Sequence, residues 1–99
     1  MFEKYVQRFT QTIEDKSFSW ILLNLRRDLG LRIYRCAQFM DISATRLKSF
    51  ENGTFKAIPS KYELESICKF YDLPLELMLD KCVDEYAKNK ATALRTEDL

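Results

Sequence analysis

The chain has 99 residues, of which 46% are hydrophobic, two are glycine and two are proline, and its formal net charge is +1. This length gives one domain, and a chain so apolar and so poor in turn residues is neither a disordered tail nor a sheet with many turns, so we expect a compact all-α fold. Because the chain has no histidine and its three cysteines form no C-x-x-C pair, we expect no metal, no cofactor, no disulfide framework and no catalytic activity.

The first predicted element is an amphipathic helix within residues 1–18. Its apolar side chains recur at three- and four-residue steps, at Phe2, Tyr5, Val6, Phe9 and Ile13. A stripe this apolar packs on its own domain, on a second copy or on another protein, and we favour packing on its own domain. The segment lacks the basic start and the continuous apolar stretch of a secretory signal, and no run of about twenty apolar residues follows it, so we expect a cytoplasmic protein with no membrane segment.

Two helices are predicted between residues 19 and 40. The first covers residues 19–29, and Gly30 supplies its carboxyl-terminal cap. Its apolar side chains are Trp20, Leu22, Leu23 and Leu29. The second is short and begins at residue 32 or 33. Its inward side chains are Cys36, Ala37 and Met40. Asp41 and Ile42 follow in a turn.

The segment that is most informative about function is the helix predicted over residues 43–52. Ser43 can cap its start, Gly53 can end it, and Leu47 and Phe50 lie three residues apart on its inward side. Its outward side chains are Ala44, Thr45, Arg46, Lys48 and Ser49. Short side chains near the start let a helix sit deep in the major groove of DNA, and hydroxyls and cations suit bases and phosphates. These five outward residues include no Gln or Asn, so bidentate contact with adenine is not expected.

The next segment is a loop followed by a capped helix. In the loop, Phe55 and Ile58 are expected to be buried. Ser60 and Glu63 form a capping box, in which the hydroxyl and the carboxylate each accept a backbone N–H. The helix then presents one apolar stripe, made of Leu64, Ile67, Cys68 and Tyr71.

Pro74 is well placed to open a last helix, which continues to about Tyr86. The residues from Lys88 onward are polar, and we expect them to fray. Two of the three cysteines are expected to be small core residues, namely Cys36 and Cys68. A redox role for Cys82 stays open.

Charge is distributed unevenly along the chain. Residues 1–20 are neutral overall, residues 21–59 carry seven basic against three acidic side chains, and residues 60–99 carry six against nine. A basic middle and an acidic carboxyl-terminal part are compatible with a protein that binds nucleic acid on one face, and equally with an ordinary solvated helical surface.

Taken in order from Leu25 to Leu79, these features resemble the Cro and phage-repressor type of helix-turn-helix domain, also called the xenobiotic-response-element family. The matching pieces are Leu25-Arg26, Gly30-Leu31, Ala37, Ile42-Ser43, Glu51-Asn52-Gly53, Pro59-Ser60, Leu64, Ile67 and Leu73-Pro74-Leu75-Glu76. The resemblance implies a bundle of five to six helices of the phage-repressor DNA-binding type. It implies a helix-turn-helix domain over residues 19–80, with an extra amino-terminal helix over residues 1–18 and a helical extension with a polar tail over residues 81–99.

The same resemblance implies a transcriptional regulator that binds double-stranded DNA sequence-specifically with its 43–52 helix, as a homodimer that reads two half-sites about 34 Å apart. The DNA-binding residues that it implies are Arg32, Arg35, Ser43, Ala44, Thr45, Arg46, Lys48, Ser49, Asn52 and Lys56. Ile33 stands where the family commonly has a Gln that contacts the DNA backbone, so we expect Arg32 or Arg35 to supply that contact. Asp41 stands where the family usually has a Gly with a positive φ, so the resemblance implies this conformation at Asp41, which tolerates it better than most residues do. Arg46 can bind a phosphate or, bidentately, a guanine edge, and replacing it with Ala is expected to relax the base preference.

A protein-interaction module with the same fold is the alternative. It would use the apolar stripe of Phe2, Tyr5, Phe9 and Ile13, together with the acidic final third of the chain. Its partner would be a protein such as a toxin or a polymerase subunit. An enzyme is disfavoured, because no pairing of a nucleophile with a base is visible without histidine.

Overall fold

The computed structural model describes residues 13–97, and the side chains of residues 13–91. This part of the chain contains helices and no strands, which confirms the all-α prediction. The helices are α1 (Phe18–Asp28), α2 (Ile33–Met40), α3 (Ala44–Asn52), α4 (Lys61–Tyr71) and α5 (Leu75–Glu97). The helix predicted within residues 1–18 lies outside the described residues up to Thr12, and Ile13 to Lys16 form a turn that leads into α1. Between residues 13 and 97, no helix combines the length and the apolarity that crossing a membrane requires.

Serine side chains cap the starts of three helices. The hydroxyl oxygens of Ser17 and Ser43 accept backbone N–H groups of the first turns of α1 and α3, at 3.1 and 3.3 Å. At α4, the Ser60 hydroxyl accepts the N–H of Glu63 at 3.1 Å, and the Glu63 carboxylate accepts the N–H of Ser60 at 2.9 Å. The predicted cap at Ser43 and the predicted capping box are therefore confirmed. The start of α2, at Arg32, has no side-chain cap.

Left-handed residues end four of the helices. The residue after α2 is Asp41, with φ of 54°, as predicted, and the residue after α4 is Asp72, with φ of 55°. Gly30 and Gly53 take φ values of 68° and 71° after α1 and α3. A left-handed conformation costs a non-glycine residue roughly 1–2 kcal/mol, and Asp is among the residues that adopt it most readily. Both aspartates thus stop a helix at a fixed point.

The inner faces of the helices enclose one core. Its largest fully buried side chains are Ile13, Phe18, Ile21, Leu22, Leu25, Cys36, Leu47, Phe50, Ile67, Tyr71, Met78 and Cys82. The loop after α3 contributes Phe55, whose ring meets those of Phe18 and Phe50 edge to face, with centroids 5.7 to 6.0 Å apart. Edge-to-face contacts of this kind stabilise a core beyond the area that they bury. The inward stripes predicted for α2, α3 and α4 are confirmed.

Ile58 was expected to be buried and is instead exposed. Ile58 and the apolar Trp20 of α1 each have 38% of their surface in contact with solvent. The buried stripe of α1 is formed by Phe18, Ile21, Leu22 and Leu25, at steps of three and four residues. Trp20 falls outside this stripe, and the Lys16 ammonium lies 5.1 Å from its ring centroid. In the loop, Pro59 is buried next to the exposed Ile58.

A buried ion pair joins α1 to α3. Arg26 Nε lies 2.9 and 2.8 Å from the two carboxylate oxygens of Glu51, and Arg26 Nη1 donates to the Leu31 carbonyl at 2.8 Å. Glu51 is only 5% exposed. The arginine therefore neutralises a carboxylate that could not be buried without a partner.

Three polar side chains of α5 dock this helix on the rest of the protein. They are spaced by four residues and so share one face: Lys81, Glu85 and Asn89, here called the docking row. The Lys81 ammonium donates to two carbonyl groups of the turn before α1, at 2.9 and 2.7 Å. The Glu85 carboxylate accepts the Ser19 N–H at 3.0 Å and also the Ser19 hydroxyl. The Asn89 amide donates to the Gly53 carbonyl at 2.7 Å.

The length of α5 differs from the prediction. The helix continues without interruption past residue 81 to Glu97, whereas an end near Tyr86 and a frayed tail from Lys88 were expected. The segment after Tyr86 contains Ala, Lys, Leu and Arg, and neither Gly nor Pro. These are strong helix formers, and the bond from Asn89 fixes the helix beyond the expected end.

Candidate nucleic-acid interface

A three-residue turn connects α2 to α3 and fixes the direction of α3. The N–H groups of Asp41 and Ile42 bond to the carbonyls of Gln38 and Ala37, at 3.2 and 3.1 Å, which closes the end of α2. Ala37 is buried, so its short side chain permits the two helices to approach closely. A turn of three residues has the length that joins the two helices of a helix-turn-helix motif.

The outer face of α3 carries short polar side chains. Thr45, Lys48 and Asn52 are exposed and Ser49 is half-buried, and their spacing of three, four and seven residues places them on one stripe, here called the α3 polar stripe. The Ser49 hydroxyl donates to an α3 carbonyl one turn earlier, at 2.7 Å. Ala44 is half-buried and packs against the core. The stripe offers a hydroxyl, an ammonium and an amide. The amide belongs to Asn52, which lies one turn after Ser49, the last of the five outward residues named from the sequence.

Arg46, which the sequence suggested as a base-contacting residue, lies against α4. Its Nε and Nη2 atoms donate to the two Glu63 carboxylate oxygens at 3.0 and 2.9 Å, and its guanidinium carbon lies 4.6 Å from the Phe50 ring centroid. These bonds lower the pKa of the Glu63 carboxyl below its ordinary value and raise the pKa of Arg46. Contact of Arg46 with a base stays a prediction, and it would require the guanidinium to leave Glu63.

Four cations surround the α3 polar stripe or belong to it. Arg32 and Arg35 lie at the start of α2, Lys48 lies on α3, and Lys56 lies in the loop after α3, all exposed. Among the described side chains, those of residues 13–91, no ion pair joins any of them to a carboxylate. The Arg35 guanidinium lies 5.7 Å from the Phe39 ring centroid. Exposed cations of this kind suit contacts with phosphate groups.

No family model, no curated protein and no solved structure matches the chain. What this surface does is therefore inferred from its own residues.

The first turn of α4 holds the helix-turn-helix at two points, and the sequence did not reveal either contact. Tyr62 Oη donates to Asp41 Oδ2 at 2.8 Å, a bond that raises the pKa of Tyr62, and Glu63 holds Arg46. The capping-box pattern located Glu63, but it contains no information about a partner 17 residues away. Ser43, a candidate DNA-binding residue, is exposed and uses its hydroxyl to cap α3.

The part of the chain that the structure describes contains no cluster of three or more His, Cys, Asp or Glu side chains that could hold a metal ion. All three cysteines are buried, which confirms Cys36 and Cys68 as core residues. Burial raises the pKa of the Cys68 thiol to about 12 and that of Cys82 to about 11. Cys82 is fully buried and donates to the Leu79 carbonyl at 3.2 Å, so no exposed thiolate is available for a redox role.

Ile13 packs on its own domain, which agrees with the packing favoured for the apolar stripe, because its side chain is 0% exposed and belongs to the core. It is therefore not available to the alternative, a surface that binds another protein. The turn that follows Ile13 is held by Lys81, whose ammonium donates to two of its carbonyl groups. The other members of that predicted surface lie outside the described residues: Phe2, Tyr5 and Phe9.

Proposed function

We propose that this protein binds double-stranded DNA sequence-specifically and regulates transcription, with α3 in the major groove. The observation that supports this function best is the α3 polar stripe on a short helix whose opposite side is anchored in the core. The major groove of B-DNA, about 12 Å wide, admits one α-helix. A helix with short side chains at its start can enter it deeply.

The side chains of the stripe, together with the half-buried Ala44 that begins α3, have the chemistry that base edges require. The methyl groups of Ala44 and Thr45 suit the methyl group of thymine, and the Thr45 hydroxyl suits several bases. The Asn52 amide can bond adenine bidentately, and the Lys48 ammonium can bind guanine or a phosphate. We assign these four residues primarily to contacts with the bases.

The flanking cations have the positions expected for backbone contacts. Arg32 and Arg35 at the start of α2, and Lys56 after α3, lie at the two ends of the helix-turn-helix. Contacts of this kind fix a protein on the duplex without reading sequence, and they make binding dependent on salt. Residues 60–99, which carry the acidic excess of the chain, contribute no residue to this assignment.

We further propose a homodimer as the DNA-binding form. A single module with a few phosphate contacts binds weakly, and two copies that read half-sites about 34 Å apart bind more tightly. The face that we assign to the dimer is an exposed apolar stripe on α5, made of Leu75, Leu79 and Val83, at steps of four residues.

The test is selection from a pool of randomised duplexes, with sizing of the complex and titration at several salt concentrations. We expect an enriched palindrome and a dimer on it. Lys48→Ala is expected to weaken binding and to reduce the slope of affinity against salt by about one unit, since it removes one cation from the interface. Lys69→Ala is the matched control, because Lys69 is exposed in the last turn of α4. Failure of the wild type to enrich any sequence would contradict the proposed function.

A second candidate function, a protein-interaction module, is favoured by a different surface. A groove of about 500 Å³ lies beside α2 and α4, and its lining includes the exposed aromatic side chains of Phe39 and Tyr62. Exposed apolar patches of this kind commonly mark binding sites for other proteins. A protein partner whose binding depends on Phe39 and is unaffected by Lys48→Ala, in a chain that enriches no duplex, would establish this function instead.

A further inference from the structure

The ion pair of Arg46 and Glu63 lies at the edge of the proposed interface. Two guanidinium nitrogens face two carboxylate oxygens at 2.9 and 3.0 Å. This is the paired geometry in which an arginine also recognises the O6 and N7 atoms of guanine. Glu63 therefore occupies one of the two bidentate edges of the Arg46 guanidinium, the one formed by Nε and Nη2, and holds the group against α4.

Glu63 is itself held in place. Its Oε1 atom accepts the Ser60 N–H at 2.9 Å in addition to the bond from Arg46. On the other side, the guanidinium contacts the Phe50 ring, which is buried in the core. The side chains of Arg46 and Glu63 are 32% and 15% exposed, so the pair is only partly screened by water. Arg46 is thus enclosed between two fixed groups.

We infer that Glu63 determines what α3 reads, by holding Arg46 on the protein and leaving base recognition to the α3 polar stripe. This inference rests on the proposed function. It differs from the expectation based on sequence, in which Arg46 itself contacts a base. In this arrangement Arg46 is a positioning residue that fixes α3 against α4, and the Glu63 carboxylate is what keeps it from DNA.

The decisive variant is Glu63→Gln. A glutamine at this position of a capping box still accepts the Ser60 N–H, so the start of α4 is retained while the charge that holds Arg46 is removed. The released guanidinium is then available to the duplex. We expect a new preference for guanine at one position of each half-site, of roughly tenfold to a hundredfold, because one bidentate contact discriminates to about that extent.

The matched control is Glu65→Gln. Glu65 is exposed on the same helix, and its only ion pair among the described residues is a 3.9 Å contact with Lys61. This variant removes the same charge from the same helix without releasing Arg46. We expect it to keep the base preference of the wild type, so a change of charge alone cannot account for the result at Glu63.

Arg46→Ala completes the experiment, alone and together with Glu63→Gln. All proteins are compared by duplex selection at a temperature where circular dichroism shows them folded. We expect Arg46→Ala to keep the base preference of the wild type, and the double variant to lose the new preference for guanine. A changed preference in Arg46→Ala, or an unchanged preference in Glu63→Gln, would overturn the inference while the wild-type selection still supported DNA binding. No enrichment by the wild type would overturn both.

Discussion

Gly53 and Gly30 end helices with nearly the same backbone conformation but in different surroundings. Their φ values are 71° and 68°. A methyl group added at Gly30 would meet nothing within 4 Å, whereas one added at Gly53 would lie 2.9 Å from Glu85 Oε2 and 3.3 Å from Ser19 Oγ. Alanine substitution at the two sites therefore separates the strain of the backbone from disturbance of the contact between α3 and α5.

The two substitutions are expected to differ in their effect on the free energy of unfolding. Gly30→Ala should cost about 1 kcal/mol, because strain of roughly 1–2 kcal/mol is partly offset by the lower entropy of alanine in the unfolded chain. Gly53→Ala bears the same strain and also displaces the Glu85 carboxylate. That group can move, but its hydrogen bonds from Ser19 then weaken, and bonds to charged groups contribute about 1.5–3 kcal/mol. We expect a total of about 2–3 kcal/mol, which lowers the midpoint of thermal unfolding by roughly 10–20 °C.

Urea unfolding followed by far-UV circular dichroism measures both values. The double variant Gly53→Ala/Glu85→Ala provides the internal check. In this background the loss of Glu85 should cost less than it does in the wild type, because its bonds to Ser19 are already weakened. Equal costs for Gly30→Ala and Gly53→Ala would refute the close approach of α5 to the end of α3.

Three further predictions follow from buried or paired groups. Arg26→Ala should lower the free energy of unfolding by about 3–5 kcal/mol, because it leaves the buried Glu51 carboxylate unpaired. Urea unfolding measures this loss, and a loss as small as that caused by replacing an exposed arginine would contradict the prediction. Because Arg46 lowers the pKa of Glu63, this pair stabilises the fold fully above the ordinary carboxyl pKa and loses its effect as the pH falls through the lowered value. Arg46→Ala should flatten this part of an acid-unfolding curve, and superimposable curves would disprove the linkage. The Cys68 thiol, whose pKa burial raises to about 12, should react with a thiol reagent at neutral pH no faster than the protein unfolds, and rapid reaction of the native protein would argue against its burial.

The features that the sequence predicted correctly are those with local signals. A hydroxyl at the start of a helix bonds an N–H two or three residues away, so the caps at Ser43 and Ser60 can be read from neighbouring residues. The left-handed Asp41 was predicted from the resemblance, which places a Gly of the family at this position. The inward side of α3, with Leu47 and Phe50, follows from periodicity alone.

The features that were wrong or unseen depend on residues far apart in the chain. Helix α1 contains so many apolar side chains that periodicity allows more than one stripe, and the packing partners decide that Trp20 faces outward. The bond between Arg46 and Glu63 spans 17 residues, and no spacing rule predicts it. The end of α5 was placed too early because the stabilising contact, from Asn89 to Gly53, lies 36 residues away.

For the candidate interface, the sequence predicted the exposure of the cationic side chains outside α3. Arg32, Arg35 and Lys56 are exposed cations, as a phosphate-binding role requires. Their assignment to DNA stays a prediction, because exposure and charge alone do not identify the partner. Whether a side chain is already bonded to another residue, as Arg46 is to Glu63, affects what else it can bind. Such a bond is visible only in the folded structure.

The docking row has a consequence for how the chain folds as it is synthesised. The bonds of Lys81 and Glu85 to the region before and at the start of α1 span 65 to 67 residues, so α1 is made long before its partners exist. Contacts that close such long loops slow folding, in contrast to the local contacts that dominate most small helical proteins. A nascent chain that stops before residue 81 already contains α1, α2, α3 and α4, but neither the start of α1 nor the end of α3 has yet acquired its bonds to α5. These bonds form only after α5 has followed the other four helices out of the ribosome.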